Sequence, residues 1–241
     1  MNESNCYHDR IRAEAYATLE FPGTYYLAYR DLPKIIAKHQ TGRKALDFGC
    51  GAGRSTRFLR QLGFDVIGVD VAPAMLDKAR EIDPEGDYRL IASSLSDVVA
   101  PISFDLITAI FTFDNIPTWE KKTGILRELR NVMKPDGCIV QLVSAPEIYL
   151  HEWTSFTTKD FPENRNARCG DKVKIIMTDV PDRRPVEDIF WTDACYREVF
   201  ARAGLNVVEK YAPLGREDEP FSWVNETRIA PWSIYVLQSG E

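Results

Sequence analysis

Basic side chains are nowhere bunched in this sequence, which sets 30 Lys and Arg against 36 Asp and Glu for a net charge of −6. A protein that follows a nucleic-acid backbone needs a stripe of cations to replace the phosphate counterions. None is visible, so no nucleic-acid partner is expected. Histidine is scarce, with only His8, His39 and His151, and no set of metal ligands stands out. The five cysteines, Cys6, Cys50, Cys138, Cys169 and Cys195, are odd in number and widely spaced. Without a C-x-x-C pair they predict neither a disulfide framework nor a zinc site. No apolar run approaches the roughly 20 residues of a membrane span. The first ten residues lack the basic and apolar regions of a leader, so a cytoplasmic protein with no membrane partner is expected.

What remains is ordinary in bulk, with 44% hydrophobic and 27% charged residues. At 241 residues the chain suits one domain with a full core. Its most informative stretch runs from Lys44 to Leu59, KALDFGCGAGRSTRFL. Ala45 to Phe48 reads as a short strand buried in a parallel sheet. Gly49, Gly51 and Gly53 alternate through a tight turn. From Arg54 the apolar residues Phe58, Leu59 and Leu62 recur at helical spacing, and Gly63 stops the helix. Strand, glycine turn and helix N-terminus form a cradle in which backbone approaches a ligand closely.

The spacing decides between ligands. A dinucleotide fingerprint, G-x-G-x-x-G/A, requires Gly or Ala at position 54, where Arg54 stands. Asp47, two residues before the first glycine, suits an ammonium-bearing ligand better than a pyrophosphate. S-adenosylmethionine is such a ligand. The next strand, Asp65 to Asp70, ends in an acid about 20 residues on, where a carboxylate accepts ribose hydroxyls. Asp47, the three glycines and Asp70 in register resemble motif I and its following acid in the class I, Rossmann-like S-adenosylmethionine-dependent methyltransferases.

That resemblance implies an α/β, doubly wound, seven-stranded and mostly parallel sheet with the last strand antiparallel. It implies an enzyme that uses S-adenosylmethionine, yields S-adenosylhomocysteine and methylates an O, N or C atom of a small molecule. An RNA or protein methyltransferase, or a non-catalytic S-adenosylmethionine-binding regulator, is the alternative reading. A nicotinamide-dependent oxidoreductase is disfavoured by Asp47 and Arg54. The expected organisation is a helical cap (residues 1–42), a cofactor-binding half (43–144), a substrate-lid insertion after strand five (145–190) and a C-terminal helix with strands (191–241). A monomer or homodimer suits such a chain.

Along the chain, Ile11, Ala15, Ala17 and Leu19 give a loose apolar helical face, broken at Phe21-Pro-Gly-Thr24. A second helical stretch carries Tyr25, Tyr26, Tyr29, Leu32, Ile35 and Ile36. Tyr25 and Tyr26 either roof the substrate or pack the cap onto the sheet. Tyr29 and Arg30 are candidates for the methionine carboxylate of the cofactor. The family resemblance puts Gly49, Cys50, Gly51 and Gly53 beside the cofactor, and Val71 and Met75 at its adenine. Met75 also reads as core filler. A third strand over about Tyr88 to Ala92 leads to Ser93, Ser94 and Leu95, where many family members hold an Asp for the adenine amino group.

The run from Phe104 to Phe111 predicts strand four, whose end places Phe111, Thr112, Asp114 and Asn115 at the ligand. Thr118 to Met133 is an amphipathic helix. Lys134 to Gly137 reads as a turn and Cys138 to Ser144 as strand five. In the insertion, Trp153 and Phe156 are candidate substrate-lining residues, and Val173–Met177 with Val186–Phe190 suggest a hairpin. Thr192 to Ala203 predicts a helix closed by Gly204, and Leu205–Ala212 and Trp232–Leu237 predict the last strands. Transfer from a sulfonium needs alignment and exclusion of water rather than a metal or covalent intermediate. For an oxygen acceptor a base is required. His151 is the candidate, with Glu147, Glu152 and Asp114 as competitors.

Overall fold

The computed structural model describes residues 22–240. The helical face read at Ile11 to Leu19 lies outside the described residues. Two short helices, α1 (Thr24–Arg30) and α2 (Leu32–His39), precede the first strand, with Pro33 in the opening turn of α2 as its fixed φ favours. Next come β1 (Lys44–Phe48), α3 (Arg54–Gln61), β2 (Asp65–Asp70), α4 (Pro73–Ile82) and β3 (Asp87–Leu90). Then follow β4 (Phe104–Ile110), α5 (Trp119–Val132) and β5 (Met133–Ser144). The insertion holds β6 (Phe156–Thr157), β7 (Lys172–Met177) and β8 (Val186–Ile189), before α6 (Asp193–Arg202), β9 (Leu205–Tyr211) and β10 (Trp232–Ser239).

Seven strands form one sheet in the order β3-β2-β1-β4-β5-β10-β9. β10 runs antiparallel to both neighbours, and the pairings among β1 to β5 are parallel. The seven-stranded, mostly parallel sheet with an antiparallel last strand is therefore present. Its order reverses at β1 and β4, and an open α/β sheet binds ligands at such a switch point.

Side-chain alternation explains why layers cover both faces. Cys138, Val140 and Leu142 of β5, with Ile234 and Val236 of β10, join one apolar cluster with Leu32, Ile35 and Leu59. Ile139 and Val143, with Tyr235 and Leu237, join the opposite cluster with Leu126, Leu129, Val199 and Phe200. A period of two sends neighbours to opposite faces, so central strands buried on both sides read as continuous apolar runs. Leu106 and Ile107 of β4 fall on opposite sides for the same reason.

β5 begins earlier than the sequence predicts. Phe104 pairs with Met133, and the next partners are Leu106 and Cys138. Lys134 to Gly137 are thus looped out within the strand, and a Cβ on Gly137 would lie 2.9 Å from the Phe104 carbonyl oxygen.

The insertion is a small antiparallel sheet in the order β6-β7-β8. Phe156, Val173, Ile175, Met177 and Val186 are buried in the same cluster as Tyr25 and Leu27. It is packed into the core rather than hung outside it. Glu226 adds a polar clamp. Fully buried, it accepts hydrogen bonds from Thr24 Oγ1 and the Thr154 N–H, both at 2.7 Å, and from the N–H groups of Val224 (2.8 Å) and Asn225 (3.0 Å). Cap, insertion and the loop before β10 meet at one carboxylate. No helix among the described residues is long and apolar enough to cross a membrane.

One expectation is corrected here. The cysteine spacing predicts no disulfide, yet Cys169, just ahead of β7, is bonded to Cys195 in the first turn of α6. The β7–β8 hairpin folds the chain back on itself and brings two positions 26 residues apart to a Cα separation of 6.7 Å.

Two measurements check this packing. Alkylation of the denatured, unreduced protein, read by peptide mass, leaves Cys169 and Cys195 unmodified while Cys50 and Cys138 react, and prior reduction exposes the pair. Glu226→Ala strips four donors of their acceptor and costs about 3 kcal/mol, on the scale of a buried charged acceptor. Urea unfolding should show a lower midpoint with an unchanged slope.

Candidate active site

The glycine turn explains itself residue by residue. Gly49, Gly51 and Gly53 have φ of +73°, +53° and +80°, a region that costs other L-residues energy. There is no room for side chains either. A Cβ on Gly49 would lie 2.2 Å from Thr112 Oγ1, and one on Gly53 2.5 Å from the Tyr88 hydroxyl. The N–H groups of Gly49 and Cys50 both donate to the Val69 carbonyl, at 2.8 and 3.0 Å, tying the turn to β2.

Asp47 sits beneath this turn with no exposed surface. Its carboxylate accepts from Ser55 Oγ at 2.6 Å, Thr56 Oγ1 at 2.7 Å and Thr108 Oγ1 at 3.0 Å. Burial raises its pKa above the usual carboxylate range, and the three hydroxyls oppose that rise. Asp47 does not line the cleft above it. The expectation that its carboxylate meets a ligand ammonium is therefore corrected. It accepts from hydroxyls of α3 and β4 and fixes the turn from behind.

Asp70 does face the cleft. Its Oδ2 accepts from the Gly51 N–H and its Oδ1 from the Ala72 N–H, both at 2.8 Å. Its carboxylate thus holds the glycine loop and the start of α4 from the cleft side. Around it opens a cleft of about 260 Å³. Gly49, Cys50, Gly51, Val71, Met75 and Phe111, all candidates from sequence, line it. Tyr29 lines it as well, beside Arg54, whose guanidinium carbon lies 5.3 Å from both the Tyr29 and Tyr25 ring centres. Gly53 is not a lining residue; it starts α3 in a left-handed conformation.

A smaller chamber of about 60 Å³ adjoins the cleft, and Arg54, Phe111 and Asn115 line both. Phe111 is the partition. It holds φ +61°, a strained value for a bulky residue and of the kind that gathers at functional sites. Its ring packs 4.8 Å from Trp232 and 5.8 Å from Tyr25, and Phe156 completes this aromatic wall 5.2 Å from Tyr25.

The far end of the chamber is polar. Asp114, buried, accepts from the Ser144 N–H at 3.1 Å and from Ser144 Oγ at 2.9 Å. Burial pushes its pKa up to about 6, against the pull of Ser144 and of Lys122. Tyr149 donates its hydroxyl to Asp188 Oδ2 at 3.1 Å, and burial raises the Tyr149 pKa. Behind them lies Lys122, fully buried, donating to the Phe113 carbonyl and 4.7 Å from the Trp191 ring centre. Burial lowers its pKa to about 7, and the charges of Asp114 and Asp188 oppose that fall.

Several predicted residues lie elsewhere. His151 lines neither cavity; its ring stands edge-on to Trp153 at 6.3 Å. Trp153 is core, its indole donating to the Ile148 carbonyl. Tyr26 packs on Phe221, 5.0 Å between ring centres. Arg30 is paired with Asp31 and Glu219 at 2.7 and 2.6 Å. Ser93, Ser94 and Leu95 miss the cleft because β3 ends at Leu90. Ser94 then caps a short turn, Leu95–Asp97, and Ile91 takes the lining position. Sequence reasoning missed Ser144 and Asp188 as chamber residues, and placed Tyr149 only among the aromatics of the insertion. Their only signal was position, at the end of β5 and just after it or on the insertion hairpin.

Comparison with known proteins agrees with this geometry. Residues 46–141 match the family model described as a methyltransferase domain. The ubiquinone biosynthesis O-methyltransferase of Stutzerimonas stutzeri is 32% identical over 100 residues, 40% of this chain and 42% of that protein. Its namesake in Xanthomonas euvesicatoria is 33% identical over 102 residues, 40% of this chain and 41% of that protein. The chain thus spans less than half the length of these curated relatives. Among solved structures, the CcbJ methyltransferase of Streptomyces caelestis superposes with a TM-score of 0.67 at 18% identity, covering 98% of each chain. An S-adenosylmethionine-dependent methyltransferase of Clostridium acetobutylicum gives 0.62 at 14% identity, covering 98% of this chain and all of the other. These likenesses speak to the fold. With the 3-2-1-4-5 order of the parallel strands they show a Rossmann-like methyltransferase fold, and the match over residues 46–141 makes that stretch, with its glycine turn and Asp70, similar to a methyltransferase domain.

Proposed function

We propose that the protein methylates a small molecule whose reacting end sits in the inner chamber, with S-adenosylmethionine in the glycine-lined cleft. The observation that carries this reading is the shared wall. Phe111, Arg54 and Asn115 border both cavities, so groups placed in each meet across one partition.

The residues present fit the cofactor. Asp70, a carboxylate lining the cleft at the end of β2, suits ribose hydroxyls, and the apolar side chains of Val71, Met75 and Ile91 suit an adenine face. Arg54, beside Tyr29 at the other end, suits a carboxylate. When bound, the cofactor supplies an electrophilic methyl group. The chain's own residues align and desolvate: the aromatic wall excludes water, and the insertion roofs the chamber through Ile175, Met177 and Val186. Asp114 and Asp188 are the proton-accepting groups within the chamber. His151 is not among them. The insertion acts as the acceptor-selecting lid. The curated relatives named above carry O-methylation in their names, but they match only 40% of this chain, so the acceptor atom does not follow from them.

Calorimetry should find one S-adenosylhomocysteine site per chain, and Asp70→Ala should weaken it by about 1–3 kcal/mol, on the order of a charged hydrogen bond. With methyl-labelled cofactor and a metabolite extract, label should pass to small molecules, and His151→Gln should keep the rate within about twofold. Binding without label transfer would leave a cofactor-binding regulator; no binding at all would end the reading.

A further inference from the structure

Lys122 breaks the apolar pattern of its helix. On α5 it shares a face with Leu126 and Leu129, all three without exposed surface, where helical spacing calls for an apolar residue. A lysine is almost never fully buried unless its charge is met. Lys122 lines neither the cleft nor the chamber, so it is no contact of a ligand held there. Its ammonium group donates to the Phe113 carbonyl and lies 5.6, 4.7 and 5.2 Å from the ring centres of Phe113, Trp191 and Tyr196. Ring faces at that range attract a cation.

What the lysine holds is the turn that carries Asp114. Thr112–Asn115 is one short turn fixed at three consecutive residues. Thr112 Oγ1 donates to the Phe48 carbonyl at 2.9 Å, the Phe113 carbonyl accepts from Lys122, and Asp114 accepts from Ser144. The turn follows Phe111, whose φ of +61° is costly to maintain without such anchors. The lysine also faces the acid electrostatically. Burial lowers the pKa of Lys122 and raises that of Asp114, and each charge opposes the other's shift. The other titratable groups around the pair are Asp188 from β8, Tyr149 after β5 and Tyr196 from α6. Arg54 of α3 stands at the boundary between chamber and cleft.

We propose that Lys122 is a positioning residue for Asp114: it anchors the turn that presents the acid and, as the cation behind it, keeps the carboxylate ionised and able to take a proton. This role rests on the methyltransferase reading above for its use. An acceptor's O–H or N–H proton passes to the Asp114 carboxylate as the heteroatom it leaves becomes the nucleophile. Lys122 touches neither reactant.

The test titrates the full chain by NMR with carbon-13 at its aspartate carboxyl carbons, and Asp114→Asn identifies the Asp114 signal. In Lys122→Met, similar in shape and uncharged, the Asp114 midpoint should move up by roughly one pH unit or more, the direction and scale of losing a nearby opposite charge. Reciprocally, with carbon-13 at lysine Cε, the Lys122 midpoint should move down by a comparable amount in Asp114→Asn, which decides the matter even if the methionine variant does not fold. Methyl transfer to a metabolite extract should have its acid limb displaced upward by the same interval in Lys122→Met, with S-adenosylhomocysteine affinity within twofold of wild type. A lysine that only fills space would lower stability and leave both midpoints in place. That result overturns the role, as does an unmoved acid limb. The titrations need neither cofactor nor acceptor, so wild-type protein that binds no S-adenosylhomocysteine ends the methyltransferase reading while the midpoints still report on the pair.

Discussion

The site is built over a buried carboxyl group. Asp47 has no exposed surface, and the hydroxyls of Ser55, Thr56 and Thr108 donate to its carboxylate. Leaving a carboxylate in that state is costly unless its lone pairs are filled. The requirement fixes the start of α3 against β1 and β4 at one point. The glycine turn is the chain between those anchors, and its left-handed conformations follow from the short distance it must span. Asp70 completes the clamp from β2 by holding Gly51 and Ala72. The cleft thus has a floor set by hydrogen bonds rather than by apolar packing, which keeps backbone N–H groups and an acid in place before any ligand arrives.

The inner chamber follows a different principle. Its walls belong to elements far apart in sequence: Tyr25 from α1, Phe111 after β4, Phe156 and Met177 from the insertion, Trp232 from β10. Trp232 also donates its indole N–H to the Thr24 carbonyl at 2.9 Å, and Thr24 Oγ1 binds Glu226. Cap, sheet edge and insertion are therefore coupled through a few buried polar contacts. The strained backbone at Phe111 is held by this packing on both sides, which is how a sparsely populated conformation persists.

The cofactor half was legible because its function is local. Three glycines, an acid before them and an acid after the next strand lie within 24 residues, and each is dictated by backbone geometry that sequence spacing encodes. Even there, one role was misread: a carboxylate two residues before the turn points down into hydroxyls, not up into the cleft. The Ser93–Leu95 assignment slipped because β3 ends sooner than its apolar run and a serine-capped turn diverts the chain. The acceptor half was not legible, since its geometry depends on how a hairpin folds back. His151 looked suited by residue type and neighbourhood, yet the chain turns it against Trp153. Asp188, unremarkable in a strand pattern, arrives in the chamber through the β7–β8 register. The same fold-back makes the disulfide that cysteine spacing did not foretell.

Ile175, Met177, Val186 and Phe156 line the chamber and are at the same time members of the apolar cluster that covers one face of the sheet. Truncating any of them widens the chamber and also removes buried surface, with a penalty of about 1–4 kcal/mol for large-to-small changes in a core. Against a typical reserve of 5–15 kcal/mol, only one or two such changes are tolerable together. Polar exchange at Asp114 or Asp188 escapes this limit, because it alters charge with little change in volume. The charge lining this chamber is therefore altered with less loss of buried surface than its size, whereas the floor beneath the cleft, fixed by Asp47, is left unaltered by either route.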